Sequence, residues 1–277
     1  MQIQKNDGKI VLTDVKNFKA KDILECGQIF RFTKNDDGHY TVFSTDKRAD
    51  VYENDGSAEI VTDNVEYFCN FFDLDRDYSV FQNKYKSYDF LMKAYDHGKG
   101  IRILNQDLAE MIFSFIISSN NNIKRIQLII NRICNAIGND MGTYRAFPTI
   151  KQMASRDESF FKEMGAGYRA AYLSKTARAL ADGFDLEGLK KCDTQTARKK
   201  LLTLTGVGPK VADCILLFGL RKSDSFPVDT WIEKVYHTYF ETGLKSREDI
   251  AKYLVGLFGE DAGLAQQYLF YYQRENF

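Results

Sequence analysis

No run of apolar residues in this chain approaches the ~20 that cross a bilayer, and the N-terminus is polar, without the apolar core of a signal peptide. Cysteine is sparse and unpatterned. The five residues, Cys26, Cys69, Cys134, Cys192 and Cys214, are odd in number and show no C-x-x-C pair or metal-ligand spacing, which argues against a disulfide framework and a zinc centre alike. The three histidines, His39, His97 and His237, form no cluster. Neither sign of charge is in surplus, with 38 Lys+Arg against 38 Asp+Glu, so no global basic field advertises nucleic acid as a partner. Internal repeats and low-complexity tracts are absent. These absences lead to the expectation of an intracellular, reducing setting, no membrane partner and no cofactor.

What is present is ordinary in bulk and uneven in detail. Hydrophobic residues make up 44% and charged residues 27% of the chain, the balance of a globular protein. Its 277 residues suffice for one large domain or two modest ones. Phe (21) and Tyr (16) are plentiful, material for a core or for base stacking. Residues 1–100 hold 14 Lys+Arg against 18 Asp+Glu, and residues 101–277 hold 24 against 20. A nucleic-acid surface would therefore lie mainly on the second part.

The first part alternates like strands. Residues 10–12, 30–32, 40–43 and 59–61 are separated by the turn sequences Asn35-Asp-Asp-Gly38 and Asn54-Asp-Gly56, which predicts a small antiparallel sheet. From about 63 the pattern turns helical. Val65, Phe68, Phe71 and Phe72 form a stripe suited to cover the sheet, 79–95 reads as a further aromatic-rich helix, and Gly98-Lys-Gly100 as a junction. Asp107 starts an apolar helix that ends in Ser118-Ser-Asn-Asn-Asn122. Ile123, Ile126, Ile130, Ile133 and Ile137 then mark the next helix, with Arg125 off the stripe. Asparagines between helices ordinarily cap and turn. Residues 148–190 give short helices and loops, including Gly165-Ala-Gly-Tyr-Arg169, and a last helix covers about 261–275.

The chain is organised around Leu201-Leu-Thr-Leu-Thr-Gly-Val-Gly-Pro-Lys-Val-Ala-Asp-Cys214 and the Phe226-Pro-Val-Asp-Thr-Trp231 that follows. Asp193 can cap a helix carrying Leu201, Leu202 and Leu204. Gly206 and Gly208 break it, and Pro209 suits the first turn of the next helix, whose buried stripe is Val211, Ile215 and Phe218. Lys210 is out of place at a helix start, because the positive end of the macrodipole disfavours a cation. Asp229 precedes an amphipathic run of Ile232, Val235, Tyr236, Tyr239 and Phe240. It is either the N-cap of that run or, if Thr230 and Glu233 form a capping box, free for other work.

This stretch resembles the helix-hairpin-helix signature of the base-excision DNA glycosylases, and its lysine resembles that of the bifunctional ones. Gly206-Val-Gly-Pro-Lys-Val-Ala-Asp-Cys214 with Pro227-Val-Asp229 resembles the 8-oxoguanine DNA glycosylases. The likeness runs over roughly 9–275, with further motifs in the family's order. It implies an α+β, predominantly α-helical fold: an N-terminal antiparallel sheet domain with covering helices over 1–100, and a two-lobed helical core over 101–277, its lobes about 122–214 and about 101–121 with 215–277. It implies that Gly27, in Gly27-Gln28-Ile29-Phe30, offers its carbonyl to the N7–H of the oxidised base. Cys214 and Phe270 would sandwich that base, and Gln266 would hold its Watson–Crick edge. Ser118-Ser-Asn-Asn-Asn-Ile-x-Arg125 resembles the element that fills the vacated stack, with Asn120 and Arg125 on the opposite base, Tyr168 as a wedge and Arg169 as a second reader. Gly206, Val207, Gly208 and Lys210 would bind DNA phosphate. Trp231 stands where many eukaryotic members carry a histidine near the lesion's phosphate. Carbonyls of Leu202, Leu204 and Val207 form a candidate cation site in relatives. The iron–sulfur cluster that some superfamily members hold near the C-terminus has no ligands here.

The residue types suit the chemistry. Base removal breaks an N-glycosidic bond through an oxocarbenium-like state, and an amine that attacks C1′ becomes a Schiff base from which β-elimination cuts the strand. The attacking lysine must be neutral, which a helix N-terminus, burial and a dry pocket all favour. A carboxylate such as Asp229 can stabilise charge on the sugar and help proton movement. A purine held between a thiol and a ring fits a base-flipping pocket. The expected function is excision of 8-oxoguanine from double-stranded DNA, preferably opposite cytosine, with abasic-site lyase activity, by a monomer in the bacterial cytoplasm and nucleoid. One alternative is the same scaffold acting on another lesion. Pyrimidine-specific relatives usually carry the cluster cysteines missing here, and alkylation enzymes lack the lysine. A second is a non-catalytic helix-hairpin-helix DNA-binding protein, against which Lys210 and Asp229 together argue.

Overall fold

The computed structural model describes residues 1–240 and 242–277. Six strands form one sheet: β1 (Gln2–Asn6), β2 (Lys9–Thr13), β3 (Phe32–Lys34), β4 (Tyr40–Ser44), β5 (Lys47–Asn54) and β6 (Ser57–Val61). They are ordered β1-β2-β6-β5-β4-β3, with antiparallel pairing of β1 to β2, β2 to β6, β5 to β6 and β3 to β4. The two turn sequences fall where they are expected, between β3 and β4 and between β5 and β6. Two strands carry no sequence signal. β1, Gln-Ile-Gln-Lys-Asn, lies at the sheet edge with four of its five residues exposed, and β5 is interrupted by charge at Lys47, Arg48, Asp50 and Glu53. Ile10, Leu12, Val42, Ala49, Val51, Ala58 and Ile60 join one buried cluster with Ile23 and Leu24 of α1 (Ala20–Glu25) and with Phe68, Phe71 and Phe72 on and after α2 (Val65–Phe71).

The expected helix over 79–95 is two helices, α3 (Val80–Tyr85) and α4 (Asp89–His97). Tyr85 fixes the break: its hydroxyl donates to the Phe258 carbonyl at 2.8 Å, and its own carbonyl accepts from the Tyr88 N–H at 2.9 Å. The remaining helices are α5 (Leu108–Ser118), α6 (Ile123–Ile137), α7 (Ile150–Ala154), α8 (Glu158–Glu163), α9 (Arg169–Ala181), α10 (Leu186–Lys191), α11 (Thr194–Leu201), α12 (Pro209–Gly219), α13 (Thr230–Tyr239), α14 (Arg247–Phe258) and, after a 3-10 turn, α15 (Ala262–Asn276). About 52% of the chain is helical, so the fold is α+β and predominantly helical. Among the described residues no helix is long and apolar enough to cross a membrane.

The chain divides into two compact units. One comprises Met1–Val42, Ala49–Asn105 and Lys222–Phe277, the other Phe43–Arg48 and Gln106–Arg221. A boundary near 100 is close to the end of the first unit's middle segment, but 222–277 group with the sheet and not with the 106–221 helices. The reason is aromatic packing: Tyr268 of α15 packs on Phe81 of α3 and Tyr95 of α4, with ring centroids 5.1 and 5.3 Å away.

Candidate active site

In the second unit, α11 and α12 flank a tight hairpin. Asp193 caps α11, its Oδ1 accepting from Thr196 N at 2.8 Å. The helix stops at Leu201, so Leu202 and Leu204 belong to the hairpin, where Leu204 O accepts from Val207 N at 3.1 Å. Gly206 turns the chain at φ +85°, and a Cβ there would lie 2.6 Å from Tyr172. Gly208, by contrast, is extended at φ −87° and serves as N-cap to α12, with Pro209 and Lys210 in its first turn. Arg198 of α11 clamps the motif by gripping Asp213 of α12, Nε to Oδ1 at 2.6 Å and Nη2 to Oδ2 at 3.4 Å. Lys210 is half-buried, and its Nζ lies 5.6 Å from the centroid of Phe115, a buried ring stacked on Phe218. The amine therefore stands at the positive end of α12 and beside an aromatic face. Cys214, one turn on, is buried.

The same unit gathers the second group of expected residues. The asparagine triplet divides its work. Asn121 Nδ2 donates to Ile117 O at 3.1 Å, closing α5, and Asn122 Oδ1 accepts from Arg125 N at 3.0 Å, opening α6. Asn120 is exposed at φ +48°, and its side chain makes no hydrogen bond among the described residues. Arg125 is exposed and reaches Gly165 O at 3.4 Å, and Tyr168, 54% exposed, donates to Ser119 O at 3.2 Å. Arg169 is buried, and its guanidinium is engaged by carbonyls of the loops it joins: Nε to Ser119 O at 2.7 Å, Nη2 to Asn120 O at 2.7 Å and Nη1 to Ala166 O at 3.3 Å. These bonds tie it to the loop that carries Asn120.

The first unit holds the rest. Asp229 is the N-cap of α13, and its Oδ1 alone accepts both Trp231 N and Ile232 N, each at 3.0 Å. The competing capping box does not form, because Glu233 pairs with Arg247 at 2.7 Å. Capping thus occupies one carboxylate oxygen, and Oδ2 makes no hydrogen bond among the described residues. Trp231 spends its backbone N–H on Asp229, and its ring is covered by Lys234 Nζ, 4.8 Å from the centroid. Gln266 is buried. Its Nε2 donates to Pro227 O at 3.3 Å, which fixes the amide's orientation, and its Oε1 is buried without a partner among the described residues. Such an orphan acceptor is costly unless a ligand fills it.

Gly27 follows α1 at φ +90°, and a Cβ there would sit 3.1 Å from Cε1 of Phe270 and 3.2 Å from Nη1 of Arg274. The strap at 26–28 is rigidly held. Gln28, fully buried, donates to Ile23 O and Arg102 O at 2.9 and 2.8 Å and accepts from Leu104 N at 2.9 Å. Gln267 donates to Cys26 O at 3.2 Å and to its sulfur at 3.0 Å. Burial pushes the Cys26 thiol up to about 11, so it is an inert part of this support.

Sequence reasoning found neither Phe115 nor the Arg198–Asp213 clamp, since both look like ordinary core and surface residues of helices. Arg274 carried a usable signal: it continues the spacing of Gln266 and Phe270 by one more turn of α15. Among the described residues no group of three or more His, Cys, Asp or Glu is placed to hold a metal.

Comparison with known proteins bears on both units. Residues 10–112 match the model of the 8-oxoguanine DNA glycosylase N-terminal domain, and residues 113–259 that of the HhH-GPD superfamily of base excision DNA repair proteins. The Clostridium acetobutylicum 8-oxoguanine glycosylase/lyase, solved with double-stranded DNA containing cytosine opposite 8-oxoguanine, is 36% identical with a TM-score of 0.93, covering 100% of this chain and 98% of that one. N-glycosylase/DNA lyase OGG1 of Arabidopsis thaliana is 36% identical over 63% of this chain and 52% of its own length. The N-glycosylase/DNA lyase of Saccharomyces cerevisiae is 40% identical over 50% and 41% respectively. The chain thus spans about half the length of these two curated relatives.

Proposed function

The chain belongs to the 8-oxoguanine DNA glycosylase family within the HhH-GPD superfamily, and from that premise we propose that it is a bifunctional repair enzyme. It extrudes 8-oxoguanine from double-stranded DNA, preferring the lesion opposite cytosine, excises it by lysine attack, and cuts the strand by β-elimination. The observation that carries this reading is Lys210: a half-buried amine in the first turn of α12, over the face of Phe115, at a helix end that disfavours a cation. In the proposed sequence its nitrogen bonds to C1′ as the glycosidic bond breaks, and the electron pair leaves with the base. The nitrogen then gives up its proton and the C1′–O4′ bond opens, leaving O4′ as a hydroxyl; the Schiff base so formed acidifies C2′–H, whose loss expels the 3′ phosphate. Asp229, with Oδ1 committed to the helix cap, has Oδ2 to stabilise positive charge on the sugar.

The other expected residues take the following roles in this reading. Cys214 and Phe270 face the purine's two sides, Gln266 Oε1 takes a donor from its Watson–Crick edge, and the Gly27 carbonyl accepts the N7–H that only the oxidised base carries. Guanine's N7 would present a second acceptor there and be repelled. Asn120 and Arg125 satisfy the acceptors of the estranged cytosine and Tyr168 fills the gap, with Arg169 holding their loop. Gly206, Val207 and Gly208 anchor a phosphate, with Trp231 and its Lys234 neighbour on the backbone near the lesion. The carbonyls of Leu202, Leu204 and Val207 offer an all-oxygen set suited to a hard cation. The Leu204 carbonyl already accepts the Val207 N–H and has a second lone pair for such an ion. The proposal includes action as a monomer, inside the cell.

A duplex with one 8-oxoguanine opposite cytosine tests the function directly. Incubation without alkali is expected to give a cut strand ending in an unsaturated aldehyde. A strand cut only after alkali treatment would reduce the protein to a hydrolytic glycosylase, and an intact strand after both would leave a DNA-binding protein.

A further inference from the structure

Gln266, Phe270 and Arg274 stand at i, i+4 and i+8 on one face of α15. The first two belong to the proposed base pocket, and the third continues the stripe with an unusual property. Arg274 Nη2 donates to Glu25 O, the last carbonyl of α1, at 2.5 Å, and to Glu275 Oε1 at 2.9 Å. Its guanidinium carbon lies 5.6 Å from the centroid of Phe270. Nη1, however, is buried and has no hydrogen-bond partner among the described residues. This nitrogen is 3.2 Å from the point where a Cβ of Gly27 would sit, and Phe270 Cε1 is 3.1 Å from that same point. One stripe of one helix therefore carries a buried orphan acceptor at its first member and a buried orphan donor at its third, with the stacking ring between them.

A buried N–H of a charged group left without an acceptor is expensive, and the chemistry of the proposed lesion supplies its partner. 8-Oxoguanine differs from guanine at two adjacent atoms: N7 gains a hydrogen and C8 gains an oxygen. A strap that offers an acceptor to the first change has the unspent donor of Arg274 beside it for the second. We infer that Arg274 is a specificity-determining residue of the base pocket, whose Nη1–H donates to the C8 oxygen of the extruded purine. The inference rests on the proposed excision of 8-oxoguanine and adds to it a second lesion-specific contact. It also gives a reason for an arginine here, since lysine would lack the fork that holds Glu25 O and the ligand together.

The test compares wild type, Arg274→Met and Arg274→Lys in single turnover on three duplexes: 8-oxoguanine opposite cytosine, 8-thioguanine opposite cytosine, and a preformed abasic site. The thio analogue keeps the hydrogen at N7 and places a weakly accepting sulfur at C8, and the abasic site needs no base contact, so cleavage there is the internal reference. Relative to that reference, 8-oxoguanine release is expected to fall on the order of 10- to 100-fold in Arg274→Met, the scale of a lost charge-assisted hydrogen bond. The preference for 8-oxoguanine over 8-thioguanine shrinks by a similar factor, and Arg274→Lys recovers part of both. If the two purines lose equally, Arg274 merely braces the strap and the inference is overturned. An unchanged ratio of release to abasic cleavage overturns it too. A wild-type protein that releases no 8-oxoguanine would instead remove the functional reading beneath it.

Discussion

Asp229 is where two roles of one side chain separate most cleanly. Its Oδ1 takes both helix N–H groups, so Asp229→Asn, which keeps an oxygen for the cap, isolates the contribution of charge. Single-turnover excision is expected to slow by roughly 10²-fold or more, the scale of lost electrostatic or acid–base help, with little change in melting temperature. An unchanged rate would reduce Asp229 to a cap. Gly27 offers no such separation: at φ +90° and with Phe270 against it, Gly27→Ala strains the backbone as well as the pocket. Much at this scale was legible in the sequence. Lys210 stood out by violating the macrodipole preference, and Asp229 by preceding an amphipathic run. What could not be read was which of two caps forms there. That depends on Arg247, fourteen residues away, taking Glu233 out of the competing box.

Helices with one clean period were readable, and elements set by tertiary partners were not. The isoleucine stripe gave α6, and Asp193, Pro209 and the glycines gave the hairpin motif. β1 and β5 are polar or charged and exist because a neighbouring strand pairs with them. The break between α3 and α4 depends on Tyr85 meeting Phe258, far along the chain. The loop pair 119–122 and 165–169 is the most informative case. Its residues were named from a resemblance, but their division of labour needed the geometry: two asparagines cap, Arg169 braces, and Asn120, Arg125 and Tyr168 are left exposed. Wild-type excision is expected to fall in the order C, then T, then G or A opposite the lesion. Arg125→Ala should flatten that order more than it slows the reaction opposite C, because the variant removes donors that cytosine meets with two adjacent acceptors, N3 and O2. Rates opposite the four bases, measured in parallel, check this. Equal wild-type rates would take the reader role away from these loops.

For the molecule as a whole, the sheet with its covering helices and the hairpin motif could be read from the sequence, but the grouping of 222–277 with the sheet could not. That grouping arises from aromatic contacts between α15 and helices more than 170 residues earlier. The first unit also carries a pH dependence. Asp22 and Glu53 meet at the start of α1, where Glu53 accepts from Ala20 N at 2.9 Å and Asp22 from Gly100 N at 3.2 Å. Burial pushes both carboxyls above their usual range. A carboxyl whose folded pKa exceeds its unfolded value costs stability when ionised. That cost is full above the folded pKa and disappears as pH falls below the unfolded value, ordinarily about 4. Asp22→Asn is therefore expected to raise Tm relative to wild type more at pH 7 than at pH 4, and the reverse ordering would show that ionised Asp22 is stabilising. The central claim concerns Lys210, and borohydride trapping tests it most directly. Wild-type protein mixed with 8-oxoguanine duplex and borohydride should give a covalent protein–DNA band, while Lys210→Gln should bind the same duplex and give none. A band of normal intensity from Lys210→Gln would put the nucleophile elsewhere and contradict the account.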